Sequence, residues 1–262
     1  MSVSWSPSWA VTGPATIARA ESLGNSETAT LLARMTTQPS MQRRIAIDNL
    51  IGALKVGGVW AKLDALYVLA AHEVQTAVLN WVSTNYNLTT AAAPTFVANR
   101  YIQGNSSTQF YDTGFNPITA SSPKFVQNSA HLAVWQTTAG GNNPLGATSC
   151  TITPATPNTT IRLNAAGGQT FAAAAATGHF IANRVSSSNI RGHFNGASSG
   201  DIASTSSAPG SETFYICARN QTTDTFNNSR ITVVHFGSSL SDAEALAAYN
   251  ALNAYLLGVG AV

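Results

Sequence analysis

Residues 193 to 201 read HFNGASSGD and contain Gly196-Ala197-Ser198-Ser199-Gly200, the G-x-S-x-G pattern that presents a nucleophilic serine when it links a buried strand to a helix. The flanks argue for something else. Asn195-Gly196 is a strong hairpin-turn dipeptide, and the following DIASTSSAPGS is too rich in Ser and Gly to open a helix. Ser198 is therefore expected in a hairpin or loop, without a nucleophile's role. The five histidines, at 72, 131, 179, 193 and 235, show no H-E-x-x-H spacing. His131 and His235 lie inside apolar strand patterns and read as core or sheet-face residues, whereas His193, beside the turn, is placed to touch a ligand. Glycan cleavage usually needs two carboxylates flanking the bond. Between Thr95 and Phe236 the acids are Asp112, Asp201, Glu212 and Asp224, with no two at alternating positions of one strand, so a sheet does not easily present them as a pair. No catalytic set is expected. The same acids are too sparse for a calcium cage, although Asp112 or Asp201 with backbone carbonyls would be the place to look. Neither metal nor cofactor is expected. Cys150 and Cys217 carry no metal spacing and read as buried thiols.

The composition narrows the partners. Of 262 residues 9% are charged and 44% hydrophobic, with a net charge of +2 and Arg43-Arg44 the one cluster of cations. That field is too weak to attract a phosphate backbone or an anionic membrane, so neither nucleic acid nor membrane is expected as a partner. The first 20 residues lack the basic start and apolar run of a secretory signal, and no stretch is long and apolar enough to span a bilayer.

Two regions must position these residues. In PSMQRRIAIDNLIGALKVGG, Ser40 is a helix N-cap, Met41, Ile45, Leu50, Ile51 and Leu54 make one face, and Gly57-Gly58 is the stop. ETATLLARM is a second helical piece before it. Ahead of both, Trp5 and Trp9 sit in an extended, Pro-broken tail, suited to docking on another protein or to folding back on the chain's own core. LDALYVLAA fits a strand or a buried helix, and EVQTAVLNWVS spaces Val74, Ala77, Val78 and Trp81 as a helix would. From Thr95 onward short segments such as AHLAVWQTT, GHFIANRV, TFYICARN and RITVVHFGS, bounded by Gly, Pro, Asn and Ser, read as strands of a sandwich or jelly roll. SLSDAEALAAYNALNAYLLGVG closes the chain as a helix with a Ser241/Glu244 capping box, Leu240 as staple, a face of Ala245, Leu246, Tyr249, Leu252 and Leu256, and Gly258 as its end. The expected division is a tail and helical attachment segment over 1–58 and a jelly roll over 59–262.

Three stretches, YDTGFNP (111–117), IRGHFNG (190–196) and RITVVHFGSSLSDAEALAAYNAL, resemble concanavalin A-like and laminin-G-like jelly rolls. The implied fold class is mainly β: a concanavalin A-like jelly-roll β-sandwich with an N-terminal helical segment and a C-terminal closing helix. ARMTTQPS, IDNLIGALKVGGVWAKLDALYVLAAHEVQTAVLNWVS and YDTGFNP are further similar to structural proteins of tailed phages, prophages and gene-transfer-agent-like particles of alphaproteobacteria, a likeness that covers roughly 30–262. It implies a virion component, a fibre, spike or head-decoration subunit, with other virion proteins as partners, a homo-oligomeric and most simply trimeric state, and Trp5 and Trp9 as attachment residues. The E-x-D strand of glucanases on this fold is absent, which sets a polysaccharide-degrading enzyme behind a lectin-like or purely decorative role.

If the jelly roll binds host surface polysaccharide, an aromatic platform should combine with amides and a guanidinium. The candidates are Trp135 with Asn142 and Asn143 in the loop after its strand, and Arg191, His193 and Asn195 beside the turn. Trp135 also fits the sandwich core, and the Asn residues also fit simple turn-shaping.

Overall fold

The computed structural model describes residues 23–222 and 224–262; Trp5 and Trp9 lie outside them. Four helices are described: α1 (Ser26–Leu32), α2 (Met41–Val56), α3 (Val74–Ala77) and α4 (Asp242–Gly258). The strands are β1 (Leu63–Val68), β2 (Thr95–Val97), β3 (Tyr101–Gln103), β4 (Tyr111–Asp112), β5 (Ala130–Gln136), β6 (Leu145–Ala147), β7 (Cys150–Thr153), β8 (Asn158–Leu163) and β9 (Gln169–Ala172). They continue as β10 (Gly178–Arg184), β11 (Asn189–Phe194), β12 (Ala197–Ser198), β13 (Ile202–Ala203), β14 (Tyr215–Ile216), β15 (Ala218–Arg219), β16 (Thr225–Phe226) and β17 (Arg230–Gly237).

One nine-stranded sheet runs β12-β11-β10-β5-β17-β3-β2, with β1 also on β17 and β13 on β11. A six-stranded sheet runs β4-β14-β6-β7-β8-β9, and β15-β16 form a small ribbon. The pairings between named strands are antiparallel, so the chain is a β-sandwich and not a βα alternation. Alternation along each strand divides the apolar residues between two layers. Leu132, Val134, Phe180, Ala182 and Phe236 face inward onto Ile152, Ile161 and Leu163 of the smaller sheet. Phe115, Phe125, Phe214 and Phe236 form the aromatic centre of this layer, with centroids 4.8 to 6.2 Å apart.

Ala133, Trp135, Ile181 and Val233 face the other way, under a cover of helices. Into that second layer α2 contributes Ile47, Leu50, Ile51 and Leu54, and α4 contributes Ala245, Ala248, Leu252, Tyr255 and Leu256. The helical stretch before Gly57-Gly58 is thus joined to the sandwich through one shared apolar layer. The helix ends form as their residue types dictate. The Ser40 hydroxyl accepts from the Arg43 amide, and Ser241 and Glu244 make both bonds of the capping box. Leu246 departs from the expected buried face of α4, being 46% exposed. It lies over Gly196, where an added Cβ would come within 2.8 Å of its Cδ1, so the hairpin tip after β11 packs against α4 and leaves no room for a side chain at 196.

The helix expected from Val74 to beyond Trp81 stops after one turn. Asn80 explains the stop. Its buried side chain accepts from the amides of Leu66 and Val82 and donates to Asp64 O, Ser83 Oγ and Asn85 O, a local network that competes with helical bonding and turns the chain. Trp81 remains core, edge-on to Tyr255 at 5.9 Å.

Candidate functional site

The G-x-S-x-G stretch is the β11–β12 hairpin. Phe194 pairs with Ala197 and His193 with Ser198, and Asn195 and Gly196 both have positive φ, 49° and 81°, as a type I′ turn requires. Ser198 bonds the Asp242 carboxylate and accepts from the Gly200 amide. His193 Nε2 meets the same carboxylate at 3.0 Å. The carboxylate therefore stands between serine and imidazole, and the imidazole does not face the hydroxyl as the base of a serine nucleophile would.

The residues expected to bind sugar have other partners. Trp135 is 5% exposed and stacked between His179 and Tyr249, at 5.4 and 5.5 Å, so its faces are closed to a ligand. His193 is fully buried against α4, which removes it from contact as well. Asn195 Oδ1 accepts from the His179 amide, extending the β10–β11 ladder beyond its last backbone pair. Arg191, the partly exposed member, spans Asp201 and Asp242 and ties the hairpin to the first turn of α4. Burial pushes the Asp242 carboxyl up, but the bonds from His193, Ser198 and Arg191 outweigh it and hold the group below the usual carboxylate range. Asn142 donates to Phe226 O, and Asn143 donates to Thr153 Oγ1 and Ile152 O; both amides brace the loop between β5 and β6. The structure brings Arg191, His193 and Asn195 to one edge, as a latch between hairpin and helix. Trp135 lies apart from Asn142 and Asn143, beneath α4.

Under that latch, His131, His235 and His179 form a buried relay. His131 Nδ1 bonds Ser238 O, His131 Nε2 lies 2.9 Å from His235 Nδ1, and His235 Nε2 lies 3.0 Å from His179 Nε2. Ala133, between β10 and β17, is too small to separate the rings. A carbonyl accepts only, so His131 must donate at Nδ1. His131 and His235 then each receive at Nε2 and give at Nδ1, while His179 gives at Nε2 and its Nδ1 is left unpartnered. Burial pushes the imidazoles down, His131 to about 4, His179 to about 3 and His235 well below its ordinary value. Among the described residues no group of three or more His, Cys, Asp or Glu is arranged to hold a metal ion. Cys150 and Cys217 are free buried thiols, Cys217 pushed up to about 12 by burial.

A different surface has the properties a sugar requires. Phe110 stacks on Tyr215 at 4.2 Å, with Phe226 6.1 Å away, and all three are half-buried. Strand register sets Asp112, Tyr215, Gly146, Thr151 and Arg162 in one row across the outer face of the smaller sheet. Gly146, at φ 147°, packs directly against β7, where a Cβ would fall 2.2 Å from Cys150 O, so no side chain fits at this position beside Tyr215. Beyond it, Arg219 Nη2 donates to Thr148 O, and Arg219 pairs in register with Thr225. Three polar atoms in this neighbourhood are buried without partners: Glu212 Oε2, Arg219 Nε and Thr225 Oγ1. Burial first, and then Asp112 and Asp224, push the Tyr215 hydroxyl above its ordinary value. An open depression of about 510 Å³ near Ala165, Gln169, Asn189 and Thr205 has no aromatic lining. The pattern of residue types does not single out Phe110, Tyr215 and Phe226, since outward aromatics on short strands look like core until the pairing is known. Their nearest signal is that Phe110-Tyr111 and Phe214-Tyr215 are adjacent aromatics, of which a strand can bury one.

No family model matches the chain, and no curated protein matches it. Among solved structures, the binding domain of botulinum neurotoxin serotype D/C is similar with a TM-score of 0.50 at 12% identity, over 74% of this chain and 53% of that one. A sialidase of Trypanosoma rangeli gives 0.49 at 10% identity, over 80% and 39%. Domain 4 of AbnA, an arabinanase of Geobacillus stearothermophilus in complex with arabinotriose, gives 0.42 at 13% identity, over 71% and 97%. The chain spans about half of the toxin binding domain. At these identities the likeness concerns the fold alone, a lectin-like β-sandwich.

Proposed function

We propose that the protein is a non-enzymatic glycan-binding module whose contact surface is the Phe110–Tyr215–Phe226 cluster. The observation that carries this reading is the half-buried Phe110–Tyr215 stack at the outer face of the smaller sheet. Aromatic faces suit the apolar side of a sugar ring, and Asp112, paired with Tyr215 in the same row, suits its hydroxyls. The proposal extends to the setting: a virion subunit, as fibre, spike or decoration, trimeric about a cyclic axis, with host surface polysaccharide as ligand. That part rests on the sequence resemblance. Binding without cleavage is favoured because Ser198 meets Asp242, a carboxylate held below its ordinary range and hence a weak base, and not the His193 imidazole.

The test is retention of the purified chain on immobilised host capsule or lipopolysaccharide, with released reducing ends measured in parallel. Binding without release is the expected result. Tyr215→Ala and Phe110→Ala should each weaken retention about tenfold, the loss of roughly one stacking interaction. Release that disappears with Asp112→Asn or Glu212→Gln would instead establish an enzyme, and no retention at all would leave structural decoration.

A further inference from the structure

We infer that the aromatic cluster is the apolar half of a site whose polar half, Arg219, Glu212 and Thr225, selects uncharged sugar rings by holding a hydroxyl. This rests on the glycan-binding reading. Arg219 Nε is a buried donor without an acceptor, Glu212 Oε2 a buried acceptor without a donor, and Thr225 Oγ1 a buried hydroxyl without either. Unpaired buried groups are costly and scarce, so three in one neighbourhood indicate a place completed by something else. Thr225 stands opposite Arg219 in the β15–β16 ribbon, and Glu212 acts electrostatically on Arg219.

The chemistry of the gap defines the occupant. A hydroxyl can accept from a guanidinium N–H while donating to a carboxylate. A carboxylate or phosphate has no proton for Glu212, and an ammonium has no lone pair for Arg219. Asp112 and Asp224, which both act on Tyr215, add negative charge beside the platform. Of the cations nearby, Arg162 already gives Nε and Nη2 to Ala165 O and Ala166 O. A polyhydroxylated, uncharged ring stacked on Tyr215 therefore satisfies the site, whereas a uronic or sialic acid sets its charge against three carboxylates.

The experiment is calorimetric titration of the full chain with neutral gluco-, manno- and galacto-oligosaccharides and with uronate- or sialate-terminated counterparts. At least one neutral series is expected to bind, and its acidic counterpart to bind at least tenfold more weakly. Glu212→Gln and Arg219→Lys should each weaken neutral binding about tenfold. The lysine keeps the charge and the reach to Thr148 O but lacks Nε, and unchanged melting temperatures establish that both variants fold. Acidic glycans bound as tightly as neutral ones, or neutral binding indifferent to both variants while Tyr215→Ala abolishes it, would overturn the inference and leave the glycan-binding reading standing. Failure of both classes to bind the unaltered chain would overturn both readings.

Discussion

The buried imidazoles, three in the relay and His193 beside it, give the molecule a pH dependence with a definite sign. An unfolded histidine binds its proton near pH 6.5, whereas His131 and His179 are held neutral down to about 4 and about 3, and His235 well below its ordinary value. The unfolded chain therefore binds more protons than the folded one across that window. Stability is full above about pH 6.5 and falls as pH drops toward 4, by up to about 1.4 kcal/mol per pH unit for each histidine. The neighbours facing the relay are His193 on β11, Lys62 before β1, and Glu244 on α4, which is paired with Lys62 at 2.6 Å. Thermal melts between pH 7.5 and 4.5 should show this slope, and His179→Phe, which keeps a ring between Trp135 and Tyr249, should reduce it by at most about a third, because His193, also pushed down by burial, shares it. A slope unchanged in that variant would rule out the relay as its source. The latch residues predict a milder effect. Arg191, Asp201 and Asp242 are partly exposed, so Arg191→Ala should cost no more than about 1 kcal/mol.

At the scale of elements, local chemistry and tertiary contacts carry different weights. Ser241→Ala removes one bond of the capping box and should cost about 1 kcal/mol in urea unfolding, with the β-sandwich signal retained. Asn80→Ala should cost at least about 2 kcal/mol, because it leaves the Leu66 amide and Asp64 and Asn85 carbonyls without their partner. The two sites differed in legibility for the same reason. Ser-x-x-Glu before an apolar run, like Asn195-Gly196 before Ser198, is complete within a few residues. The Asn80 network draws on β1, and nothing in EVQTAVLNWVS reveals that the asparagine will be buried; helical spacing of Val74, Ala77, Val78 and Trp81 therefore projected several turns where one exists.

At the scale of the whole molecule, α1 and α2 close the same apolar layer as α4. Removing residues 1–58 should expose Leu66 and Leu252 and yield an insoluble or unfolded product. The proposed virion role predicts that deleting residues 1–20 blocks incorporation into particles, and light scattering of the full chain is expected to report a trimer. The sequence by itself determined the mainly β class, the capped closing helix, the turn at Asn195-Gly196 and the hairpin placement of Ser198, because caps, turns and strand periodicity are set within a few residues. Only the tertiary structure decided the surfaces. Trp135 is buried because β5 lies mid-sheet beneath α4, and His193 because Asp242 arrives from a helix 49 residues further on. Phe110 and Tyr215 meet because β4 pairs with β14 across the smaller sheet. Which face of a strand is covered depends on elements far away in the chain, and no local pattern encodes that register.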